Sequence, residues 1–358
     1  AYPTGGGTSE PGFCAWSSPD LREWKPEGMI LKLADVSWAN GDPWAPDIIQ
    51  RNGLFYFYFC SGSAIGVAVS DNPVGPFHDA LCKPLIPYEE DMSSIDPKAF
   101  IDDDGQAYLY WGATFDGRLF MRKLNSDMIS FSGEKKTIYE FDAHAYYHCE
   151  GAFIFKRAGL YYFMWSEYNW TTLPNLEEDN SYRVNFAIAS SPEGPFKRVE
   201  SRVPILSTDM ARKIIGPGHN SVFQISGTDT FIIAYHYHHG DEIRFAALDT
   251  LQFGSDGLLW TLNPSETGVP PVPLSCGLTL DGTGPFTHED AISFKAAYPS
   301  VAHKLRLVVN GEIVMEGSPS PLLNWNNASS GFKRVKLEAV NGSGSVAVSV
   351  PLDIDINN

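Results

Sequence analysis

EGAFIFKRAGLYYFMWS (residues 150–166) carries the reading of the fold. A carboxylate opens a strand of alternating apolar residues, a turn with glycine follows, and an aromatic strand returns. Three other stretches repeat the arrangement: WAPDIIQRNGLFYFYF (44–59), IDPKAFIDDDGQAYLYWG (95–112) and GHNSVFQISGTDTFIIAYH (218–236). The residues that open these strands are Asp47, Asp96, Glu150 and His219, which lie 49, 54 and 69 positions apart. That period belongs to the blades of a β-propeller and sets the opening residues at one mouth of a ring.

A second signature counts the blades. After each inner hairpin comes a short strand and a turn: SDNPVGPF (70–77), NSDMISF (125–131), SSPEGPF (190–196) and DTLQFGSDG (249–257). A fifth copy, SSPDLREW (17–24), stands at the front without an inner hairpin before it. Five outer halves and four inner halves predict an all-β, five-bladed β-propeller whose first blade lacks its inner strands in this chain.

The pattern holds over residues 1–262 and gives way to a Pro-rich connector, NPSETGVPPVPL (263–274). Residues 275–358 read as short strands, with Asn310-Gly311 and Asn341-Gly342 between alternating apolar positions as type I′ hairpin signals. This predicts a small β-sandwich, immunoglobulin- or fibronectin-like, as an accessory domain.

Composition narrows the partners. With 26 basic and 43 acidic residues the formal charge is −17, which argues against nucleic acid, whose binding requires clustered Lys and Arg. No apolar run approaches the roughly 20 residues of a membrane span, so no membrane partner is expected. Nine Trp, 16 Tyr and 22 Phe suit both inter-blade packing and the stacking of sugar rings. Five scattered cysteines with no CxxC spacing indicate neither a disulfide framework nor a zinc site. A monomer or weak oligomer is expected.

Glycoside cleavage requires a protonated acid beside the leaving oxygen and a carboxylate that activates water or attacks carbon. Glu150, between Cys149 and Gly151 at a strand entrance walled by aromatics, is placed for the first role. Asp96, fixed by Pro97, opens the neighbouring blade and is placed to orient a sugar and the acid. His219, flanked by Gly216 and Gly218, could contact substrate or hold a cation. Asp102, Asp103 and Asp104 fall in an inter-strand turn and read as structural. His236, His238 and His239 in YHYHHG read as structural too, since no third metal ligand accompanies them.

WAPDI, IDPxxFxDDDGxxYLxWG, EGxxxxKRxGxYYxxxS and GxGHxS, in this order and spacing, resemble the family-43 glycoside hydrolases over residues 12–267. The resemblance implies five-bladed propellers that invert at the anomeric carbon of arabinosides and xylosides, without a cofactor for the chemistry. It makes Glu150 the general acid and Asp96 the residue that tunes it and orients substrate. It puts Trp44 at the sugar subsite, Arg244 on a sugar hydroxyl, and His219 beneath the site near a structural calcium ion. Asp47 joins these as a substrate-binding candidate through its place in the repeat.

The resemblance also implies a general base, an Asp opening the first inner strand, which this sequence is expected to begin too late to contain. Asp20 falls in an outer turn, Asp35 and Asp42 in the connector to blade two; Asp42 is the nearest substitute. The sequence is therefore expected to be an inverting exo-glycosidase, of α-L-arabinofuranosidase or β-xylosidase type, lacking its usual base through truncation or loss. Its expected partners are arabinose- or xylose-bearing oligosaccharides and polysaccharides, and its expected location is extracellular or periplasmic. Endo-arabinanase activity and a non-catalytic carbohydrate-binding propeller are the alternatives.

Overall fold

A computed structural model describes residues 1–5, 10–18, 20–88, 94–113, 118–140, 149–168, 181–225, 228–240, 243–265, 268–269, 276–298, 302–341 and 344–358. Five sheets follow one another along the first part of the chain. Blade one is the antiparallel pair β1 (Gly12–Ser17) and β2 (Lys25–Lys32). Blade two runs β3 (Pro43–Arg51), β4 (Leu54–Ser61), β5 (Ile65–Ser70) and β6 (His78–Asp79). Blade three runs β7 (Lys98–Ile101), β8 (Ala107–Trp111), β9 (Arg118–Leu124) and β10 (Phe131–Glu140). Blade four runs β11 (Cys149–Arg157), β12 (Leu160–Glu167), β13 (Arg183–Ala189) and β14 (Lys197–Arg198), and blade five runs β15 (Ile215–Gln224), β16 (Phe231–His238) and β17 (Phe245–Thr250). The count read from the repeats is met, and among the described residues blade one has two strands where blades two to four have four.

The seams between blades are built from the aromatic returning strands. Phe13 and Ala15 of blade one pack on Phe57 and Phe59 of blade two. Tyr58 and Ile65 meet Leu109 and Trp111 across the next seam, Tyr110 and Met121 meet Phe163 and Trp165 across the third, and Met164 and Phe186 meet Ile233 and Tyr235 across the fourth. Trp111, Trp165, Tyr58, Tyr110 and Phe163 are each under 2% exposed, and a fully buried side chain of this size contributes about 1.5–3 kcal/mol. A propeller has no single core, so these flat seams carry its stability.

The remaining strands form two facing sheets. One contains β18 (Gly277–Leu280), β20 (Ile292–Ala297) and β23 (Leu322–Trp325). The other contains β19 (Phe286–Thr287), β21 (Lys304–Val309), β22 (Glu312–Gly317), β24 (Gly331–Asn341), β25 (Gly344–Val348) and β26 (Leu352–Asn357). Phe294, Leu307, Val335, Leu337 and Ile354 fill the space between them. The β21–β22 turn has φ of 49° at Asn310 and 90° at Gly311, both in the left-handed region that a type I′ turn requires. Gly342 of the second hairpin signal and most of the connector 263–274 lie outside the described residues.

Charged side chains tie the sandwich to the turns of blades two and three. Arg51, 3% exposed, donates from Nε at 2.6 Å and from Nη2 at 2.7 Å to Asp355, and from Nη1 to the Gly105 carbonyl. Gly105 has φ of 84°, and a Cβ there would stand 2.5 Å from the Phe332 ring of the sandwich, so glycine meets both a backbone and a packing demand. The acidic turn is structural, as its position implied: Asp102 accepts from Lys156 and Tyr161 of blade four, while Asp103 accepts from Arg334 of the sandwich.

Asp355→Ala is expected to leave the buried Arg51 guanidinium uncompensated and to lower stability by about 3–5 kcal/mol. Removing Asp281, the exposed partner of Lys295, should cost under about 1 kcal/mol. Chemical denaturation of the two variants measures the difference; equal losses would mean that the Arg51–Asp355 pair does not hold the two parts together.

Candidate functional site

A repeated irregularity shapes the mouth where the inner strands begin. Trp44 pairs with Cys60 and Asp47 with Tyr58, so blade two has one residue too many on its inner strand. The same shift separates Glu150 from Phe153 in blade four and Gly218 from Ser221 in blade five. Each is a β-bulge, and its extra residue takes positive φ: Ala45 at 22°, Gly151 at 64° and His219 at 47°. Asp96, just before β7, matches them with φ of 57°.

The bulge turns a backbone N–H out of the ladder, and the preceding blade accepts it. Asp96 N donates to Cys60 Sγ at 3.2 Å. Gly151 N donates to Asp96 Oδ2 at 3.0 Å, and His219 N donates to Ser166 Oγ at 2.7 Å. These bonds fix three neighbouring strand entrances relative to one another. As a result one ligand atom each from Asp96, Glu150 and His219 lies within 4.8 Å of the others.

Tyr182 donates to Glu150 Oε1 at 2.7 Å and is 3% exposed, with burial first and then the Glu150 charge pushing its hydroxyl well above the usual range. It reaches the acid because blade five has glycine at position 218, where a Cβ would stand 2.2 Å from the tyrosine ring. His236 stacks on Tyr182 with centroids 5.6 Å apart and planes 16° apart. Burial, then the charges of His219 and Arg244, push the His236 imidazole down to about 3, against a smaller upward pull from Glu150. Arg244 lines a small cleft with His236, His238, Tyr168 and Tyr182.

Of the residues expected at the site, the structure brings together Asp96, Glu150 and His219, with Arg244 close enough to act on the His236 charge. Trp44 stands at the mouth of blade two opposite Cys60, at the strand position Glu150 holds in blade four. Asp47 needs a correction of register. It lies two residues beyond the bulge, level with Lys98, Phe153 and Ser221, and both its oxygens are engaged by Lys98 Nζ at 3.0 and 3.1 Å, one of them also by Ala99 N. Spacing alone could not show this, because the extra residue of each bulge is visible only in the pairing.

Sequence reading passed over Tyr182, Cys60 and Ser166, and took His236 as structural. The last three hold the same place opposite the bulge in blades two, four and five. Aligning the ends of the returning strands, not only their beginnings, exposes that shared position. The stretch 169–180, between Tyr168 and Ser181, lies outside the described residues.

A model of the glycosyl hydrolases family 43 matches residues 2–259. The chain is 32% identical over 275 residues to a β-D-galactofuranosidase of Aspergillus niger, an overlap of 72% of this chain and 76% of that protein. It is 26% identical over 284 residues to the extracellular exo-α-(1→5)-L-arabinofuranosidase ArbA of Cellvibrio japonicus, covering 70% of this chain and 80% of that one. The crystal structure of a thermostable family-43 glycoside hydrolase superposes with a TM-score of 0.62 at 28% identity, covering 73% of this chain and 88% of that one.

His236 is expected to stay neutral across the physiological range. Its folded value of about 3 lies below the unfolded value of 6.5, so between the two the unfolded chain binds the extra proton and stability falls as pH falls. The slope is at most about 1.4 kcal/mol per pH unit. NMR titration should show no protonation of His236 above pH 5, and His236→Gln should flatten the acid-side stability curve; a midpoint near 6.5 would contradict the described environment.

Proposed function

Because the chain belongs to family 43 of the glycosyl hydrolases, we propose that it acts on terminal α-L-arabinofuranosyl groups of plant polysaccharides and their oligosaccharides, with Glu150 as general acid. The supporting observation is the approach of Asp96, Glu150 and His219 to within 4.8 Å at one mouth of the ring. Relatives named for arabinofuranoside and galactofuranoside cleavage favour a furanose ring. β-Xyloside cleavage is the second reading within the same site.

In this reading Tyr182 holds Glu150 Oε1 and fixes the carboxyl that carries the proton to the glycosidic oxygen. Asp96, anchored by the Gly151 N–H, sets a negative charge so close that a second one is costly, which favours a proton on Glu150. An inverting site leaves about 6.5–9.5 Å between acid and base for the attacking water. Asp96 is nearer than that, so we assign it to positioning and to the substrate rather than to water activation. Neutral His236 adds no charge that would compete for the acid's proton. Arg244 and Trp44 are assigned to a sugar hydroxyl and a ring face, and Asp47 to bracing blade two against blade three through Lys98.

Calcium takes six to eight oxygen ligands, while this cluster offers two carboxylates and an imidazole. The donor set does not fit that ion. Residues 1–262 are assigned as the hydrolase domain and 275–358 as its accessory sandwich. We infer an extracellular location from the described relative.

Glu150→Gln should lower turnover of nitrophenyl α-L-arabinofuranoside by about 10²–10⁴-fold, and that of a dinitrophenyl glycoside much less, since the better leaving group departs without a proton. Equal losses on both would remove Glu150 from the acid role. Faster turnover of β-D-xyloside than of either furanoside would select the second reading.

Azide separates the acid from the base. If water activation limits this chain, azide should raise turnover and yield a glycosyl azide of inverted configuration, because azide attacks without losing a proton. Ordinary turnover of about 1–10³ per second without azide, unaffected by adding it, would instead assign the base to a residue such as Asp42, exposed at the entrance of β3.

A further inference from the structure

The strands that begin at the acid cluster end at a different cavity. Its volume is about 440 Å³, and its walls come from β7, from the later residues of β11 and β15, and from Arg334 and Asp353 of the sandwich. Along β11, Glu150 and Arg157 are separated by roughly 20 Å at the usual rise of a strand. This is a second mouth, and both parts of the chain build it.

Its lining limits what it can hold. Phe155 and Phe231 form a buried wall, and Phe223, 39% exposed, stands at the lip. Four cations reach the cavity, each already paired: Lys98 with Asp47, Lys156 with Asp102 and Asp103, Arg157 with Asp229, and Arg334 with Asp353. An anionic ligand would have to displace a carboxylate from its partner, and a wholly apolar ligand would strip water from ion pairs without replacing its hydrogen bonds. A neutral molecule with hydroxyls on its edges and C–H groups on its faces meets both demands. The volume falls in the ordinary range of small-ligand pockets.

We propose that this cavity is a second carbohydrate-binding site, which takes the end of a neutral pentose oligosaccharide with one ring stacked on Phe223. The pentose class rests on the proposed function; the neutral polyol rests on the lining alone. A site there gives the sandwich a part in holding a polysaccharide while the other mouth engages a chain end.

The test uses the full chain carrying Glu150→Gln, titrated calorimetrically and by NMR with arabinotriose and xylotriose. Two sites are expected. Phe223→Ala should weaken one of them tenfold or more, Phe223→Trp should preserve it, and Trp44→Ala should weaken only the other. A single site, lost with Trp44→Ala and indifferent to Phe223→Ala, overturns the inference and leaves the hydrolase reading standing. Binding that depends on Phe223 but not on Trp44 supports the cavity while removing the pentoside reading of the first mouth. Preference for a uronic acid trisaccharide over the neutral ones also overturns it.

Discussion

The inner strands of blades three, four and five enter the ring with a backbone N–H facing sideways, and the side chain that accepts it comes from the blade before. A bulge residue with positive φ exposes that group, and a buried donor left unpaired would cost about 1–3 kcal/mol. Cys60, Asp96 and Ser166 supply the acceptors for Asp96, Gly151 and His219 in turn. Asp96 appears on both sides of this chain of bonds: its N–H is held by one blade while its carboxylate holds the next. The spacing of the chemical groups therefore follows from backbone satisfaction, and the aromatic seams behind them keep the blades from moving apart.

The fold was legible because hydrophobic alternation, aromatic return strands and turn residues recur in step, each reflecting a physical demand of a flat sheet packed between two others. Glu150 and Asp96 were legible for the same reason, since a polar residue at a strand entrance interrupts an otherwise apolar pattern. Asp47 misled because a bulge adds a residue without altering composition. Tyr182 was hidden because its role arises from an absent side chain at position 218, far away in sequence. His236 sat in an alternating histidine run that has no meaning until Arg244, His219 and Tyr182 are seen beside it.

The site divides its labour by charge as well as by position. Burial pushes the Tyr182 hydroxyl up and the His236 imidazole down, so both stand beside Glu150 uncharged near neutral pH. The charged residues that do form ion pairs, such as Asp47 with Lys98, sit deeper along the strands, where they join blades.

The grip of the sandwich is uneven around the ring. Its contacts through Arg51, Asn52, Asp103 and Gly105 fall on the turns of blades two and three, whereas Arg157 of blade four turns to Asp229 of blade five. Cooperativity is therefore concentrated on one side of the circle. Amide protons of blades two and three are therefore expected to exchange more slowly than those at the β17 edge of blade five. The cluster spans this unevenness: Asp96 belongs to a blade that the sandwich grips, His219 to blade five.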